Sequence, residues 1–291
     1  MKPIIWKIRD RTLTIHHRPL VMGIVNVTPD SFSDGGRWFD HRTAVAHALQ
    51  LVEQGADILD IGGESTRPGA TPVPLEEELR RVVPVVQAIT QRTSIPLSID
   101  TMKAEVARQC LAAGASIIND VSGFRDPMMV AVAQSFQAGC IVMHMPGDPQ
   151  TMMQYAHYTD VVEEVANYLE DRLQMLQQAG IAGEAICVDP GIGFGKNLDH
   201  SLTLLAHLER IAQLKRPVCL GVSRKGFLGQ ICQRPRDERD PASLAVACIA
   251  AARRTAHILR VHEVCGTRDA ARLLEAIDQH RRTSPDGDRS N

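Results

Sequence analysis

A repeated succession of helix, glycine, short apolar strand and terminal polar residue limits the folds open to this chain more than any other feature. Residues 55–60, 114–119 and 139–144 carry it at the same spacing, and they end in Asp, Asn and His respectively. The glycine suits the left-handed C-cap of a helix, and the unbroken apolar run suits a strand buried on both faces, as in a parallel sheet. Helices that alternate with such strands indicate an α/β fold.

Similar strands are predicted along the chain at residues 20–26, 57–61, 96–100, 116–120, 140–144, 185–189, 218–222 and 258–262. Their polar residues recur at the carboxyl ends of all of them rather than at one switch point. This favours a closed barrel over an open doubly wound sheet. The prediction is therefore a (β/α)8 TIM barrel with its functional site at the carboxyl ends of the strands.

An N-terminal β-hairpin is predicted before the first barrel strand. Residues 4–8 and 12–15 alternate apolar and polar side chains around a turn at residues 9–11, and the hairpin is expected to plug the bottom of the barrel. The barrel is predicted to form a single domain over residues 1–279, followed by a polar C-terminal tail over residues 280–291.

The charge balance argues for a small-molecule partner rather than a nucleic acid or a membrane. Lys plus Arg number 32 and Asp plus Glu number 34, without long runs of either sign, so no electrostatic footprint for nucleic acid or an anionic membrane is present. The 7 cysteines contain no C-x-x-C pair, which argues against a zinc or redox site. The N-terminal segment has no signal-type apolar region and no stretch reaches the length of a membrane span, so we expect a cytoplasmic protein.

Long polar loops follow the first two strands. Residues 26–36 are rich in turn formers yet contain Phe32, and we predict a mobile lid. Residues 60–69 bring Thr66 and Arg67 onto a glycine-flanked loop that can fold over an anion. The alternative is that these residues only form turns. Two such loops after consecutive strands, at the same face of the barrel, favour a functional role.

Asp100, Asn119 and Asp189 each end an apolar strand. A carboxylate there is costly to bury unless hydrogen-bond donors satisfy it. A ligand rich in N–H groups would supply them, and the amino-pyrimidinone edge of a pterin matches a carboxylate in two places, with an Asn amide beside it. The alternative is that each residue caps the helix that follows.

The glycine-rich segment at residues 189–196 invites two other interpretations. A Walker A loop is excluded because Pro190 and Asn197 stand where that motif needs Gly and Ser or Thr, and the glycine spacing is not that of a dinucleotide site. The glycines are instead predicted to let the backbone approach a flat ligand closely, and Phe194 is predicted to line the site as an apolar wall.

A second group of polar residues is predicted to form a polyanion pocket at the same end of the barrel. Its members are Asn26, Arg67, Ser223, Lys225, Arg260 and His262. Alternation along the last strand aims Arg260 and His262 to the same side. A Mg²⁺ ion held mainly by phosphate oxygens and one neutral ligand would suit such a pocket. The alternative is that these Arg and His residues lie on the surface or have only a structural role, as lone residues of these types usually do.

Eight motifs follow one another along the chain: MGIVNVTPDSFSDGG (22–36), GGESTRPGA (62–70), SIDT (98–101), IINDVSG (117–123), MHMPG (143–147), DPGIGFGKN (189–197), SRK (223–225) and RVHEV (260–264). In order and content they closely resemble the dihydropteroate synthases of bacterial folate synthesis. The resemblance spans nearly the whole chain, and the first two motifs are highly specific.

The resemblance implies a (β/α)8 transferase, usually a homodimer. It would join 6-hydroxymethyl-7,8-dihydropterin diphosphate to p-aminobenzoate and release pyrophosphate, with Mg²⁺ as the cofactor. Members of the family are thought to lose pyrophosphate early, which leaves a pterin-stabilised cation for the weakly basic arylamine to capture. Such a reaction needs no strong general base, and it places stabilising charges at both ends of the breaking bond.

The resemblance also implies site residues. The pterin would be bound by Asp100, Asn119, Met143, Asp189 and Lys225. Of these, Asp100, Asp189 and Lys225 are the predicted catalytic residues. The diphosphate would be bound by Asn26, Thr66, Arg67, Arg260 and His262, with Asn26 as the metal ligand. The aminobenzoate would be bordered by Thr66, Arg67, Pro68, Phe194 and Lys225.

One departure from the family and three competing functions remain open. Gly226 stands where several members carry a hydroxyl or basic residue, so a contact to the aminobenzoate carboxylate is either missing or made by a backbone N–H, which bears on sulfonamide sensitivity. A pterin-dependent methyltransferase would share the barrel but would not use the lid at residues 26–36 or the Ser-Arg-Lys segment. An aldolase with Lys225 as a Schiff-base nucleophile is the second competing function, and a non-catalytic pterin-binding homologue is the third.

Overall fold

The apolar runs that end in a polar residue form buried parallel strands. A computed structural model describes residues 3–28 and 41–283 of the chain. The barrel strands are β3 (Leu20–Asn26), β4 (Ile58–Gly62), β5 (Leu97–Asp100), β6 (Ile117–Asp120), β7 (Gly139–Met143), β8 (Ile186–Asp189), β9 (Cys219–Leu220) and β10 (Ile258–Val261). Each lies within a predicted strand or within one residue of it, and β9 is the most shortened.

These strands form a nearly closed barrel. Their order is β8-β7-β6-β5-β4-β3-β10-β9, and all of the pairings are parallel. A parallel bridge between Val188 and Val218 joins the two ends of this order. The predicted (β/α)8 barrel is thereby confirmed. Because every strand runs in the same direction, the polar residues at the strand ends surround one opening, which we call the barrel mouth.

Helices connect the strands and cover the outside of the barrel. They are α1 (His41–Glu53), α2 (Leu75–Thr90), α3 (Ala104–Ala112), α4 (Pro127–Phe136), α5 (Val161–Gln178), α6 (Leu198–Ala206), α7 (Glu209–Ala212), α8 (Gly226–Cys232), α9 (Asp240–Ala252) and α10 (Val264–Thr283). The main apolar core lies between these helices and the outward faces of the strands. No described helix is both long enough and apolar enough to cross a membrane. Helix α10 continues through residues 280–283 of the predicted tail, whereas residues 284–291 lie outside the described part of the chain.

The predicted N-terminal hairpin is present and closes the bottom of the barrel. Its strands are β1 (Ile4–Ile8) and β2 (Arg11–Ile15), which pair antiparallel. Trp6 and Ile8 are fully buried. They pack in one cluster with the inward-facing side chains at the starts of the barrel strands, namely Met22, Ile58, Ile117, Ile141, Cys187, Cys219 and Ile258.

The glycines of the repeated pattern do not all have the predicted role. Gly55 and Gly114 adopt left-handed conformations, with φ of +93° and +115°, as expected after a helix. The prediction for Gly139 is wrong, because Gln137 takes the left-handed cap of α4 (φ 51°) and Gly139 is the first residue of β7. A Cβ at Gly139 would lie 2.4 Å from Ile8 Cγ2, so this glycine makes room for the hairpin.

Replacing Trp6 with phenylalanine should destabilise the barrel by about 1 kcal/mol, because the indole Nε1 donates a hydrogen bond of 3.0 Å to the Ala185 carbonyl in a buried position and that acceptor would lose its partner. Urea denaturation would measure the change. Ile5→Ala is the control, since Ile5 lies on the same strand with 44% of its side chain exposed. An equal effect of the two substitutions would contradict a plugging role for Trp6.

Candidate active site

The three predicted strand-end residues Asp100, Asn119 and Asp189 are all buried. They end or nearly end strands β5, β6 and β8 at the barrel mouth. Asp100 lies directly beside Asn119 in the register of the sheet, and Asp189 lies beside Met143. The sequence therefore brings four of the five predicted pterin-binding residues onto four consecutive strands.

These residues do not cap the helices that follow them. Helix α3 begins after Lys103. The N-cap of α4 is Asp126, whose carboxylate accepts from Met128 N, and the N-cap of α6 is Asn197, whose side chain accepts from His200 N. The capping interpretation is thus wrong for Asp100, Asn119 and Asp189.

Arg260 lies between two carboxylates rather than on the open surface. Its Nε is 2.6 Å from Asp60 Oδ2, and one of its terminal nitrogens is 2.6 Å from Asp100 Oδ2. Asn119 Nδ2 donates to the same Asp60 oxygen at 3.0 Å. The other carboxylate oxygens, Asp60 Oδ1 and Asp100 Oδ1, are buried without a protein partner. The hydroxyl of Ser98, the residue beside Asp60 in the register of β4 and β5, is also buried without one. Buried acceptors left in this way are expected to receive donors from water or a ligand.

The ionisation of Asp100 reflects this crowding. Burial raises its pKa to about 7, the guanidinium of Arg260 opposes the rise, and the charge of Asp60 adds to it. The pKa of Arg260 is raised by the two carboxylates despite its burial. Asp100 is therefore poised to change its charge in the neutral pH range.

Asp189 and Lys225 form a second pair of opposite charges across the mouth. Asp189 Oδ1 accepts from the backbone N–H of Gly191 at 2.7 Å. Burial raises the pKa of Asp189, whereas the charge of Lys225 lowers it. Burial lowers the pKa of Lys225 to about 8, although Asp189 favours the ammonium form. The Lys225 ammonium donates to the Ile192 carbonyl and lies 4.5 Å from the centre of the Phe194 ring, which is within cation–π range.

An apolar wall stands beside this pair. Met143 is buried in a small cluster whose other buried members are Val121, Met145 and Met152, and Phe194 packs against it. The predicted pterin-stacking residue Met143 and the predicted aminobenzoate wall Phe194 thus belong to one surface. Methionines and an aromatic ring provide the polarizable contacts that a flat heterocycle requires.

The glycine-rich segment 189–196 is held against the loop after β7 instead of only leaving space for a ligand. A Cβ at Gly191 would lie 2.0 Å from the His144 carbonyl oxygen, and Gly191 has a φ of +65°. Lys196 is buried, and its Nζ lies 2.8 Å from His144 Nδ1 and 2.9 Å from the Phe194 carbonyl. Burial lowers the pKa of Lys196 well below its usual value. This lysine thus fixes the segment that carries Phe194.

The Ser-Arg-Lys segment turns sharply, and its three side chains point to three different partners. Arg224 has a φ of 58°, and its guanidinium forms two hydrogen bonds of 2.7 and 2.6 Å with Asp240. Ser223 Oγ accepts from the backbone N–H of His262 and lies 2.9 Å from His262 Nδ1. If that hydroxyl donates its own proton to Nδ1, Nε2 carries the proton of the neutral ring and is a hydrogen-bond donor.

His262 is neutral at physiological pH. Burial, together with the charges of Arg224, Arg260 and Arg236, lowers its pKa to about 3. The imidazole thus lies in a field of cations without carrying a charge itself. Such a field attracts a polyanion.

Thr66, Arg67 and Pro68 lie on the loop between β4 and α2. Thr66 is half-buried, whereas Arg67 and Pro68 are exposed. The base of this loop is fixed by Glu64, which accepts from Val73 N at 3.0 Å and from the Lys103 ammonium at 2.5 Å. The tip of the loop is consequently more open than its base.

Asn26 is half-buried at the end of β3, beside Gly62 of β4. Strand β3 lies between β10, which carries Arg260, and β4, which leads into the loop with Arg67. Most of the predicted lid at residues 26–36, including Phe32, lies outside the described residues. Gly226 begins α8, and a Cβ there would meet no atom within 4 Å, so the space beside it is open.

Two residues of this site were not among the predicted site residues. Asp60 was recognised only as a strand-end residue, although the shared spacing with Asn119 was a signal for it. Arg236, in a short 3-10 helix, had no sequence signal. Its pKa is lowered by burial and then by the charge of Arg67, so these two guanidiniums share one region of the mouth.

Comparison with known proteins identifies relatives of the whole barrel. The model of the family described as "Pterin binding enzyme" matches residues 22–262. Dihydropteroate synthase of Escherichia coli (strain K12) is 47% identical over 265 residues, which cover 91% of this chain and 93% of the relative.

Solved structures agree with the fold. Dihydropteroate synthase of Xanthomonas albilineans with 4-aminobenzoic acid superimposes with a TM-score of 0.89 at 47% identity, covering 95% of this chain and 99% of the other. A structure of the enzyme from the same organism in complex with 7,8-dihydropteroate gives a TM-score of 0.85 at 44% identity, covering 94% and 98% of the two chains.

Proposed function

The chain belongs to the dihydropteroate synthase family of pterin-binding enzymes, and from that premise we propose how its barrel mouth carries out the reaction. The enzyme is a transferase that joins 6-hydroxymethyl-7,8-dihydropterin diphosphate to p-aminobenzoate and releases pyrophosphate. The observation that carries this conclusion is the group of buried, partly unsatisfied carboxylates at the strand ends beside the cations of Arg260 and Lys225. The chain also matches 93% of the length of the Escherichia coli relative.

The charge balance of the mouth suits an early loss of pyrophosphate. Asp60, Asp100 and Asp189 contribute three carboxylates, whereas Arg260 and Lys225, which are both half-buried, contribute two cations. With all five ionised, one negative charge is left over, which favours positive charge on a bound heterocycle as its bond to the diphosphate breaks. Charges fixed before the reaction stabilise the transition state without reorganisation.

The pterin is held at its donor-rich edge by Asp100 and Asp189. One oxygen of each carboxylate is engaged by the protein, by Arg260 for Asp100 and by the Gly191 N–H for Asp189. The Asn119 amide stands between the two carboxylates along the barrel wall. Met143 packs on the face of the ring, and Lys225 meets the pterin acceptors that the carboxylates cannot bind.

The diphosphate is received on the other side of the mouth. Arg67 and His262, with Thr66 and Arg260, supply the hydrogen-bond donors, and Arg236 adds charge to the same region. Among the described residues, no group of three or more His, Cys, Asp or Glu side chains is arranged to hold a metal. A Mg²⁺ ion here would take most of its oxygens from the diphosphate and one from Asn26, and it would neutralise the charge of the leaving group.

The aminobenzoate approaches from the open side of the mouth. Phe194 and Lys225, which lie against each other, form the inner wall, and Thr66, Arg67 and Pro68 form the outer wall on the loop after β4. The open space beside Gly226 leaves its backbone N–H accessible to a carboxylate. The C–O bond to the diphosphate breaks first and pyrophosphate leaves. The amine then attacks the methylene carbon of the pterin-stabilised cation and releases one proton to solvent.

Release of pyrophosphate tests the proposed function directly. The purified chain is given the pterin diphosphate and Mg²⁺, with and without p-aminobenzoate, and both pyrophosphate and dihydropteroate are measured. Equal amounts of the two products support the synthase. Methyl transfer from a methylated pterin without pyrophosphate release would favour a methyltransferase. Tight pterin binding without any turnover would identify a non-catalytic homologue.

Pterin affinity should depend on pH with a maximum between about 7 and about 8, the pKa values of Asp100 and Lys225. Below the lower value Asp100 takes up a proton and loses an acceptor, and affinity should fall by up to about tenfold per pH unit. Above the upper value Lys225 loses its charge. Calorimetric titrations from about pH 5.5 to about 9.5 measure both limbs. Asp100→Asn should flatten the acid limb and Lys225→Met the alkaline limb, whereas an unchanged profile in both variants would contradict these assignments.

A homodimer in the cytoplasm is part of the same proposal. Exposed apolar side chains project from α6, α8, α9 and α10, namely Leu202, Ile231, Ile249, Leu273 and Ile277. Exposed apolar side chains on neighbouring helices are typical of a surface that is covered in an assembly. Light scattering of the purified chain measures its oligomeric state.

A further inference from the structure

Asp60 is fully buried. It contacts Asn119, a proposed pterin-binding residue, and Arg260, a proposed diphosphate-binding residue. Its Oδ2 accepts from Arg260 Nε and from the Asn119 amide, and its Oδ1 has no partner. We propose that Asp60 is a positioning residue on which Arg260 pivots: it retains the guanidinium while the pterin displaces Arg260 from Asp100. This inference rests on the proposed function, because it requires a ligand that competes for Asp100.

The need for a pivot follows from the occupancy of Asp100. One terminal nitrogen of Arg260 lies on Asp100 Oδ2, and Asp100 Oδ1 is buried without a partner. A ligand that presents two adjacent N–H groups binds a carboxylate most strongly through both oxygens. Such a ligand would share Asp100 Oδ2 with Arg260, which weakens the Arg260–Asp100 contact and favours its opening.

Asp60 lowers the free-energy cost of opening the Arg260–Asp100 contact. The bond from Arg260 Nε to Asp60 is independent of the terminal nitrogen that contacts Asp100. A half-buried guanidinium with no carboxylate contact would be unfavourable. With Asp60 in place, the terminal nitrogens can turn toward the ligand while Nε stays paired. Without the charge of Asp60, Asp100 becomes the sole carboxylate in direct contact with Arg260 among the described residues, and the ligand must compete with it.

A double-mutant cycle on pterin affinity tests this pivot. The variants are Asp60→Asn, Arg260→Gln and the pair together, and the probe is 6-hydroxymethylpterin, which lacks the diphosphate. Asp60→Asn should weaken binding about tenfold in the otherwise native chain but less than about twofold when Arg260 is already Gln, because the effect is transmitted through Arg260. Losses that simply add would overturn the pivot.

Asp57→Asn is the matched control. Asp57 immediately precedes β4 and forms two hydrogen bonds of 2.8 Å with Arg18, so the substitution also disrupts an Asp–Arg pair, but at the bottom of the barrel. It should lower the unfolding midpoint and leave pterin affinity unchanged. If it weakened the pterin as much as Asp60→Asn, general destabilisation would explain the result and the pivot would be refuted.

A spectroscopic measurement addresses the same contact without altering Asp60. The Nε–H resonance of Arg260, assigned by its loss in Arg260→Lys, should stay protected from exchange with water both before and after the pterin binds. Loss of this protection on binding would show that Arg260 leaves Asp60, and it would overturn the pivot. Failure of the wild-type chain to bind any pterin would overturn the proposed function as well, so the two failures are distinguishable.

Discussion

Replacing Asp189 with asparagine is expected to lower pterin affinity roughly a hundredfold, which corresponds to about 2–3 kcal/mol. Asp189 is buried at the end of β8, and one of its oxygens accepts the Gly191 N–H at 2.7 Å. In the asparagine variant the amide oxygen keeps this bond, so the NH₂ group faces the ligand. Two donors then oppose each other in a buried position, and neither has an acceptor.

The loss of charge adds to this mismatch. The ammonium of Lys225 lowers the pKa of Asp189 against the effect of burial, so the two charges support each other. Once Asp189 is neutral, the excess negative charge of the mouth is removed and a cationic pterin is no longer favoured. The rate of pyrophosphate release should therefore fall together with the affinity.

Calorimetric titration of the pterin into Asp189→Asn measures the effect. Asp171→Asn is the control, since Asp171 is exposed in the middle of α5, on the outer layer of the barrel, and it should bind the pterin as the wild type does. Equal affinities of Asp189→Asn and the wild type would refute the assignment of Asp189 to the pterin.

Local patterns were sufficient to predict the strands and the burial of their terminal polar residues. A continuous apolar run with a polar last residue specifies a strand that is covered on both faces, whatever lies elsewhere in the chain. This is why Asp100, Asn119 and Asp189 were predicted in the correct places. The role of Gly139 was mispredicted because its cause is Ile8, more than a hundred residues away in sequence.

The contacts of Arg260 could not have been predicted in the same way. Arg260 and Asp60 are 200 residues apart in sequence, and they meet because β3 lies between their strands in a fixed register, with Met22 beside Arg260 and Ile24 beside Asp60. Alternation along one strand indicates the side on which a residue lies, but it does not reveal the residue that it faces across the barrel.

Lys196 illustrates the same limit. In sequence it follows a glycine as the lysine of a phosphate-binding loop does, and only the missing Gly and Ser or Thr argued against that function. In the structure its Nζ is buried against His144 and the Phe194 carbonyl. A lysine that serves the packing of a loop cannot be distinguished by residue type from one that serves a ligand, because the difference lies in tertiary contacts.

The affinity for p-aminobenzoate is expected to rise strongly when pyrophosphate and Mg²⁺ are bound. The proposed pterin residues lie on buried strand ends, whereas Arg67 and Pro68 lie on the exposed tip of the loop after β4. The aminobenzoate would therefore have to order part of its own site if it bound first. Pyrophosphate held by Arg67, His262 and their neighbours would order the loop before the aminobenzoate binds, so its binding would no longer include the free-energy cost of ordering. Substrates should accordingly bind in order, with the pterin diphosphate first.

Arg67→Ala should remove this coupling while leaving the affinity for a pterin without diphosphate unchanged. Coupling between sites is commonly about 1–3 kcal/mol, or about 5- to 150-fold in affinity, and most of it should disappear because Arg67 is the charged residue at the loop tip. Arg80→Ala is the matched control: Arg80 is an exposed arginine of α2, the helix that follows the loop, and it pairs with Glu77 within that helix.

Titration of labelled p-aminobenzoate into each protein, first alone and then with pyrophosphate and Mg²⁺, measures the coupling directly. The wild type and Arg80→Ala should both bind much more tightly in the second condition, and Arg67→Ala should not. The base of the loop stays fixed in all three proteins through Glu64, Lys103 and Glu78, so a difference between the two arginine variants reports on the tip alone. Equal aminobenzoate affinity of the wild type in both conditions would mean that its site is formed in advance and that the loop does not couple the two ligands.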